Sequence, residues 1–308
     1  MSLDSATAGV VCVASWNADL VSQVARPLAR GETLMATAFT ISPGGKGSNA
    51  AVAAARQGAR VALIARIGDD DFGRMGLGLW HAEGIATEYV ERATDERSGV
   101  AQILVYDDGD NSIAVHPGAG GGLNAQHVLA ARHLIEGCKV VMASCEVPIE
   151  ATLQAFHIAR AVGVVTLLNP APARPLPAGL LALTNVLTPN KSELYQLAGP
   201  EHTGSLDSAA AHLLALGTGA VLVTLGAAGC RLYQPGCDAV EVAGRNMQVA
   251  DTIGAGDTFT GVLAATLARG DSLEAAMQWA NAAAALSVTR HGAIAGIPLL
   301  AEVAALAG

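Results

Sequence analysis

The sequence predicts an α/β fold in which a doubly wound, mostly parallel sheet is flanked by helices and accompanied by a small β-sheet. Short strand-like runs alternate with longer alanine-rich segments at helical spacing, and such alternation favours parallel strands joined by right-handed crossovers. Hydrophobic residues make up 51% of the 308 residues and aromatic residues only 4%. The core must therefore consist mainly of Ala, Val, Leu and Ile, which suits helices packed on a parallel sheet.

Apolar runs predict the strands of the main sheet, and most of these runs are near-continuous, as burial on both faces requires. The predicted strands are residues 9–15, 60–68, 139–146, 164–170, 185–189 and 220–226. The segments between them that have the apolar spacing of helices are residues 47–57, 71–84, 124–137, 149–163 and 205–217. From Ala255 onward the chain is predicted to be mostly helical.

Residues 18–43 and 96–117 break this alternation. The second stretch contains SGVAQILVY and NSIAVH on either side of a DDGDN turn, which predicts a hairpin. We expect the two stretches to form a small sheet that acts as a lid beside the main sheet. Because no tandem repeat or obvious linker divides the chain, residues 1–308 are predicted to form a single domain with this lid.

Composition argues against several classes of partner. The net charge is −9 and the 18 basic residues form no cluster, so we expect no nucleic-acid partner. No apolar run approaches the length of about 18 residues that a membrane span needs. The five cysteines form no CxxC motif and the first residues lack the pattern of a secretory signal. These features predict free thiols and a cytoplasmic location.

The segment DTIGAGDTFTG, residues 251–261, places an acid where a glycine-rich turn becomes a helix. Backbone N–H groups of Gly254, Ala255 and Gly256 are expected to form an anion site that the helix dipole reinforces. An acid beside an anion site makes sense as a general base, which would take a proton from an attacking hydroxyl while the turn stabilises charge on a phosphoryl group. The alternative is that Asp257 only caps the helix.

A second glycine motif, GGKGSNAAV at residues 44–52, also opens a helix. It departs from the P-loop pattern because Lys46 is followed by Gly47, and the sequence contains no GxGxxG segment. The two commonest nucleotide-binding fingerprints are therefore absent, which argues against a P-loop enzyme or a nicotinamide-dependent dehydrogenase. Lys46 and Asn49 are suitable groups for binding sugar hydroxyls. The alternative is a tight turn between a strand and a helix.

Together, the two motifs resemble the paired signatures of the ribokinase-like (PfkB) sugar kinases. The resemblance covers nearly the whole chain, because further segments follow in the family's order: WNAD (16–19), GDDDFG (68–73), LNPAPAR (168–174), TPNKSE (188–193) and TLGAAG (224–229). It implies a ribokinase-like fold and an ATP-dependent phosphotransferase that acts on an alcohol group.

The resemblance also implies roles for individual residues. Asp257 would be the catalytic base, with Gly254, Ala255 and Gly256 as its anion hole. The acceptor sugar would be held by a set of residues near the start of the chain, a strand end and the base itself: Asn17, Asp19, Gly45, Lys46, Asn49, Glu146 and Asp257. ATP and its Mg²⁺ would be held by Asn190, Glu193, Thr224, Gly226, Gly229, Gly256 and Asn281.

A monovalent cation, usually K⁺ in this family, would lie behind the anion hole. The residues that match its ligands are Asp251 and the carbonyls of Ile253, Ser287, Arg290 and Gly292. The chain departs from the family at Gly296, where these kinases tend to offer a serine hydroxyl. One ligand is therefore expected to be missing or replaced by water.

The leading hypothesis is an ATP-dependent sugar kinase that phosphorylates the primary hydroxyl of a pentose, with D-ribose giving ribose 5-phosphate. The resemblance implies a homodimer formed through the lid. The alternatives are a kinase of the same family for another sugar, a sugar acid or a nucleoside, and a non-catalytic sugar- or nucleotide-sensing protein. Trp16, Cys145 and Met247 are expected to serve packing.

Overall fold

The computed structural model describes residues 9–307. The first eight residues, on which the expected lack of a secretory signal rests, lie outside this range. The strands are β1 (Val10–Val13), β2 (Asn17–Gln23), β3 (Ala38–Gly44), β4 (Val61–Gly68), β5 (Ala86–Ala93), β6 (Gly99–Val105), β7 (Asn111–His116), β8 (Val140–Ser144), β9 (Val165–Asn169), β10 (Val186–Leu187), β11 (Ala220–Thr224), β12 (Gly229–Tyr233) and β13 (Val240–Ala243).

The helices alternate with these strands and then close the chain. They are α1 (Lys46–Arg56), α2 (Asp71–Ala82), α3 (Ala125–Ala130), α4 (Arg132–Gly137), α5 (Ile149–Ala161), α6 (Ala178–Leu183), α7 (Lys191–Ala198), α8 (Leu206–Ala215), α9 (Ala255–Arg269), α10 (Leu273–Ser287), α11 (Ala293–Gly296) and α12 (Leu300–Ala307).

Within the described chain, nine strands form the large sheet in the order β13-β12-β11-β10-β9-β8-β1-β4-β5. The pairs from β5 to β11 are parallel, and β12 and β13 add an antiparallel edge. Alternate side chains of β1 face opposite sides: Val10 and Cys12 join a core with α1, α9 and α10, whereas Val11 and Val13 join a core with α3 to α8. The doubly wound α/β fold is therefore confirmed.

The position of β1 decides where a ligand can bind. The chain builds the sheet outward from β1 through β4 to β5, and then crosses back to place β8 on the other side of β1. The crevice beyond the carboxyl ends of strands at such a reversal is where open α/β sheets bind ligands. Asn17 follows β1 and Glu146 follows β8, so both lie at this crevice.

The small sheet has the order β3-β2-β6-β7. Strands β6 and β7 pair as the predicted hairpin, and β2 pairs with both β3 and β6. Asp19 is the register neighbour of Ala101, and Ala101 is the neighbour of Val115. These three side chains therefore share one face of the small sheet.

The strands predicted for the main sheet are all present, but the predicted elements were incomplete. The single helix expected over residues 124–137 is two short helices, because hydrogen bonds from Ala131 to Val128 and from Leu134 to Ala131 tighten the chain between them. The sequence analysis also missed strands β5, β12 and β13 and helices α6 and α7. In the part of the chain that the structure describes, every helix is too short or too polar to cross a membrane.

Candidate active site

Asp257 lies in the first turn of α9, a helix that packs against the central strands β1, β8 and β9. The residue before this helix, Gly254, has φ 77°, a left-handed conformation that glycine adopts without steric cost. Asp257 is buried, and one of its carboxylate oxygens accepts a hydrogen bond from Asn49 Nδ2 at 2.9 Å. The recorded partner of the Asp257 carboxylate is thus Asn49 of another helix, and the N-cap residue of α9 makes no side-chain hydrogen bond.

Asn49 brings the second glycine motif to this acid. It lies in the first turn of α1, after Gly45, and is itself buried. While its Nδ2 group donates to Asp257, its Oδ1 atom is buried with no hydrogen-bond partner. An unpaired buried acceptor is costly, and a hydroxyl donor of a bound molecule would satisfy it. The structure thus brings Asn49 and Asp257 together at a place that suits a polyol.

Glu146 connects β8 to the start of α1. One carboxylate oxygen accepts from the Ser15 hydroxyl at 2.7 Å and from the Lys46 N–H at 2.8 Å. The Ser15 hydroxyl in turn accepts from the Gly47 N–H at 3.0 Å. Glu146 therefore fixes the turn that presents Lys46 and Asn49. Ser15 is a residue that the sequence analysis missed, and no motif there signalled its role.

We call the surroundings of Asn17, Asp19, Lys46, Asn49, Glu146 and Asp257 the acceptor pocket. It contains three carboxylates and the Lys46 ammonium group, which influence one another electrostatically. The pKa of Asp19 is raised to about 7, first by burial and then by the charges of Glu146 and Asp257, while Lys46 opposes the rise. Burial also raises the pKa of Glu146. The pKa of Lys46 is raised, first by Asp257 and then by Glu146, Glu193 and Asp19, against the effect of burial. Lys46 is thus held charged among the acids.

A cavity of about 570 Å³ opens beside the first turn of α9, where Ala255 and Gly256 line it; this size is typical of small-molecule sites. The predicted residues Thr224, Gly226, Gly229, Gly256 and Asn281 all line it. The Asn281 side chain also donates to the Ala243 carbonyl at 3.0 Å. Ala255 completes the wall next to the base. The structure therefore brings five of the seven expected nucleotide-binding residues together around one cavity.

The cavity has a further wall that the sequence analysis missed. Residues 244–247 and Val249, which follow β13, line it together with Phe259 and Val288. Met247, expected to serve packing, is only half-buried and faces this cavity. Met247 lies just before the DTIGAGD segment. This proximity in sequence was the feature that could have indicated a place beside the cavity.

Asn190 and Glu193 cap α7 reciprocally. Asn190 Oδ1 accepts from the Glu193 N–H at 2.9 Å, and Glu193 Oε2 accepts from the Asn190 N–H at 2.8 Å. Burial raises the pKa of Glu193, which also interacts electrostatically with Lys46 and Asp257. Asn190 lines a groove next to Thr224 and Gly226. The pair therefore lies next to Thr224 and Gly226, which also line the large cavity.

The residues expected to hold a monovalent cation also lie together. Asp251 accepts from the N–H groups of Ile253 and Gly292, at 2.9 and 2.8 Å. A Cβ atom on Gly296 would lie 2.7 Å from the Ser287 carbonyl oxygen and 3.7 Å from that of Arg290. Two of the expected carbonyls thus converge at Gly296, and they leave no room for a serine there without a shift.

An acid between a polyol pocket and a nucleotide-sized cavity is the arrangement of a kinase that acts on an alcohol. Comparison with known proteins agrees with this class. The family model for pfkB family carbohydrate kinases matches residues 7–300. The chain belongs to the pfkB family of carbohydrate kinases.

Individual relatives are similar over almost their whole length. A ribokinase of Bacillus subtilis (strain 168) is 39% identical over 294 residues, which cover 95% of this chain and 97% of that protein. A deoxyribokinase of Salmonella typhi is 34% identical over 296 residues, covering 95% and 96%. The solved structure of Arabidopsis thaliana ribokinase complexed with ribose and ATP has a TM-score of 0.89 and 30% identity, covering 98% of this chain and 99% of that one.

Proposed function

We propose that this protein is an ATP-dependent kinase that phosphorylates the primary hydroxyl of D-ribose to give ribose 5-phosphate. The observation that carries the proposal is the position of Asp257. Its carboxylate contacts Asn49 of the acceptor pocket, while its neighbours Ala255 and Gly256 line the nucleotide-sized cavity. A base at this junction meets both the hydroxyl and the phosphoryl group that it attacks.

The reaction would follow from this placement. Asp257 takes the proton of the primary hydroxyl, the oxygen attacks the γ-phosphorus of ATP, and the bond to the leaving ADP breaks. The N–H groups in the first turn of α9 have no partner within the helix. The Ala255 N–H donates to the Thr252 carbonyl at 3.3 Å, so the N–H groups that follow it would be the main ones to stabilise charge on the transferred group. Lys46, which interacts with both Asp257 and Glu193, would neutralise the same charge.

Two metal ions are part of the proposal. Asn190 and Glu193 would hold Mg²⁺ through water, and the ion would neutralise the phosphates. The side-chain oxygens of Asn190 and Glu193 are ligands of the kind that Mg²⁺ prefers, directly or through water. Asp251 with the carbonyls of Ile253, Ser287, Arg290 and Gly292 would hold K⁺ behind the anion hole. With Gly296 in place of a serine, the K⁺ requirement is expected to be weaker.

The choice of acceptor rests on the relatives and on the pocket. The Bacillus subtilis ribokinase and the ribose-bound Arabidopsis thaliana ribokinase favour ribose. Asn49 Oδ1 and the Asp19 carboxylate supply acceptors for several hydroxyls. The 34% identity to a deoxyribokinase makes 2-deoxyribose the second candidate.

The experiment is ADP release with Mg²⁺-ATP across ribose, 2-deoxyribose, fructose, sugar acids and nucleosides, each with and without K⁺. The largest kcat/KM is expected for ribose, with ribose 5-phosphate as the product by mass spectrometry and ³¹P NMR. A larger kcat/KM for another acceptor would support a kinase whose substrate is that acceptor and not ribose. Binding of ATP without turnover of any acceptor would support a sensing protein instead.

The small sheet would act as a lid on the acceptor and as the contact of a homodimer, within a single-domain chain. Asp19 lies on the same face of the sheet as Ala101 and Val115, so this face covers the sugar. Ile113 and Val115 on that face are exposed, and a second copy of the chain would cover them. Closure of the lid would exclude water that competes for the phosphoryl group.

A cytoplasmic location also belongs to the proposal. Cys12, Cys138, Cys145 and Cys230 are buried free thiols and Cys237 is an exposed one, which suits a reducing compartment. The expected absence of nucleic-acid and membrane partners stays a prediction.

A further inference from the structure

Asp70 is a buried acid that takes no part in the proposed reaction. It anchors the small sheet just before the first residue of β6. Asp70 lies between β4 and α2, and its carboxylate accepts from the Gly73 N–H at 2.8 Å, which caps α2. The same carboxylate accepts from the N–H and the hydroxyl of Ser98, at 2.9 and 2.7 Å. Asp70 is 8% exposed and Ser98 only 2%.

These bonds join three elements at one point. The Ser98 hydroxyl also accepts from the N–H of Gly68, the last residue of β4, at 3.0 Å. Burial opposes ionisation of Asp70, but the hydrogen bonds from Ser98 and Gly73 outweigh it and hold the pKa below its usual range. Asp70 is therefore a charged acceptor that ties the end of β4, the start of α2 and the residue before β6 together.

The next residue connects this point to the acceptor pocket. Gly99 is the register neighbour of Asn17, and a Cβ atom on Gly99 would lie 2.4 Å from Asn17 Oδ1. The Asn17 side chain thus rests directly against the Gly99 backbone. Two residues further along both strands, Asp19 pairs with Ala101. A shift in the start of β6 would move both of these polar side chains.

We infer that Asp70 and Ser98 are positioning residues for the acceptor, because they fix the start of β6 and through it chiefly the place of Asn17, whose side chain rests against Gly99. The inference rests on the proposed acceptor site. Neither residue contacts the acceptor, so the effect of removing them is expected on acceptor binding and not on the chemistry. The nucleotide cavity is lined by other elements and should be unaffected.

The test compares Ser98→Ala and Asp70→Asn with Asp71→Asn. Asp71 is the matched control because it is the neighbouring acid, is exposed and pairs with the Arg74 side chain. We expect Ser98→Ala and Asp70→Asn to raise the KM for the acceptor about tenfold, with the KM for ATP and kcat unchanged. Asp71→Asn should change none of these. If Asp70→Asn fails to fold, Ser98→Ala alone provides the test.

A double-mutant cycle with Asn17→Ala separates positioning from a general loss of stability. If Ser98 acts through Asn17, adding Ser98→Ala to Asn17→Ala should raise the acceptor KM far less than it does in the wild type. The inference would be overturned if Ser98→Ala lowered the melting temperature but left the acceptor KM unchanged. It would also be overturned if the effects of Ser98→Ala and Asn17→Ala on the acceptor KM simply multiplied in the double variant. If Asn17→Ala alone leaves the acceptor KM unchanged, the proposed acceptor site is wrong and the inference falls with it.

Discussion

At the scale of single residues, the role of Asp257 gives the most direct prediction. Asp257→Asn keeps the shape of the side chain and its position beside Asn49 but removes the base. We expect kcat to fall by a factor of about 10³ to 10⁴, with the acceptor KM changed little, because a general base acts only in the transition state. Steady-state kinetics measure both constants.

Asp271→Asn is the control for this substitution. Asp271 follows α9 and pairs with Arg269 at the far end of the same helix, so its removal should leave kcat unchanged. Normal turnover by Asp257→Asn would contradict the proposed mechanism and leave the carboxylate as a structural partner of Asn49.

Asp19 gives a prediction about pH. The free enzyme holds this carboxyl group with a pKa of about 7, raised from 3.8 first by burial and then by Glu146 and Asp257. Acceptor hydroxyls donate to the charged form, so binding below pH 7 requires loss of a proton. We expect the acceptor KM to rise by up to roughly tenfold per pH unit below 7 and to level off above it.

Asp19→Asn tests this assignment in two ways. The variant should bind the acceptor weakly, with a KM that no longer depends on pH near 7. In the wild type the folded chain keeps this proton up to about pH 7, whereas the unfolded chain releases it near 4. Asp19 therefore lowers the free energy of unfolding as pH rises from about 4 to about 7, and over this window Asp19→Asn should gain stability relative to wild type. If the free energies of unfolding of wild type and Asp19→Asn changed in parallel with pH, the prediction would be contradicted.

The residues of the candidate site could be predicted from the sequence only where they belong to a recognisable motif. Asp257 and Lys46 belong to glycine-rich turns that the sequence marks locally, and in the structure each lies in the first turn of a helix. Ser15, which ties Glu146 to the turn before α1, carries no such mark because its partner lies 131 residues away. Trp16 was expected to pack, and it does, edge-on against Trp80 with ring centroids 5.3 Å apart.

At the scale of elements, the N-terminus of α9 depends on the left-handed residue before it. Gly254 and Gly270 flank this helix with φ 77° and 100°. A Cβ atom on Gly254 would lie 2.9 Å from Ala293 Cβ, whereas one on Gly270 would meet nothing within 4 Å. Gly270→Ala is therefore a matched control, since it has the backbone cost without the steric conflict.

We expect Gly270→Ala to lower the free energy of unfolding by about 1 to 2 kcal/mol, the cost of a left-handed non-glycine residue, and Gly254→Ala to lower it further because its Cβ atom would also press against Ala293. Gly254→Ala alone should also lower kcat, by about 10²-fold, because it displaces the N–H groups that stabilise the transferred phosphoryl group. Denaturant unfolding and steady-state kinetics measure the two effects. Equal kcat values for the two variants would show that the turn before α9 is not part of the anion hole.

The elements that the sequence failed to predict share a physical cause. Strand β5 contains Glu88, Glu91 and Arg92 and lies at the edge of the sheet, so it lacks the apolar run that marks a strand buried on both faces. The helix expected over 124–137 has continuous apolar spacing, and only its tightened turn at Ala131 divides it. Periodicity reports the buried face of an element and not its hydrogen bonds.

At the scale of the whole molecule, the sequence pattern predicted the fold class but could not predict the order of the strands in the sheet. Alternation of strands and helices favours a parallel doubly wound sheet, but the place where the chain reverses is set by packing between distant segments. That reversal at β1 brings the ends of β1 and β8 together and so creates the crevice that Asn17 and Glu146 share. The acceptor site is thus a property of the topology as much as of the motifs.

The proposed homodimer is the last prediction, and it belongs to this scale. Ile113 on the small sheet and Leu299 on the main body are almost equally exposed, at 55% and 56%. Only Ile113 lies on the proposed contact, so Ile113→Asp should convert the dimer to a monomer while Leu299→Asp leaves it intact. Sedimentation velocity measures the mass of each.

The assembly and the acceptor site should be coupled, because Ile113 shares its face of the small sheet with Ile103 and Asp19. A partner that covers this face also holds the lid over the sugar. We therefore expect monomeric Ile113→Asp to show a raised acceptor KM, with the KM for ATP unchanged. A monomeric wild type, or a monomeric variant with a normal acceptor KM, would show that each subunit closes its lid without the other.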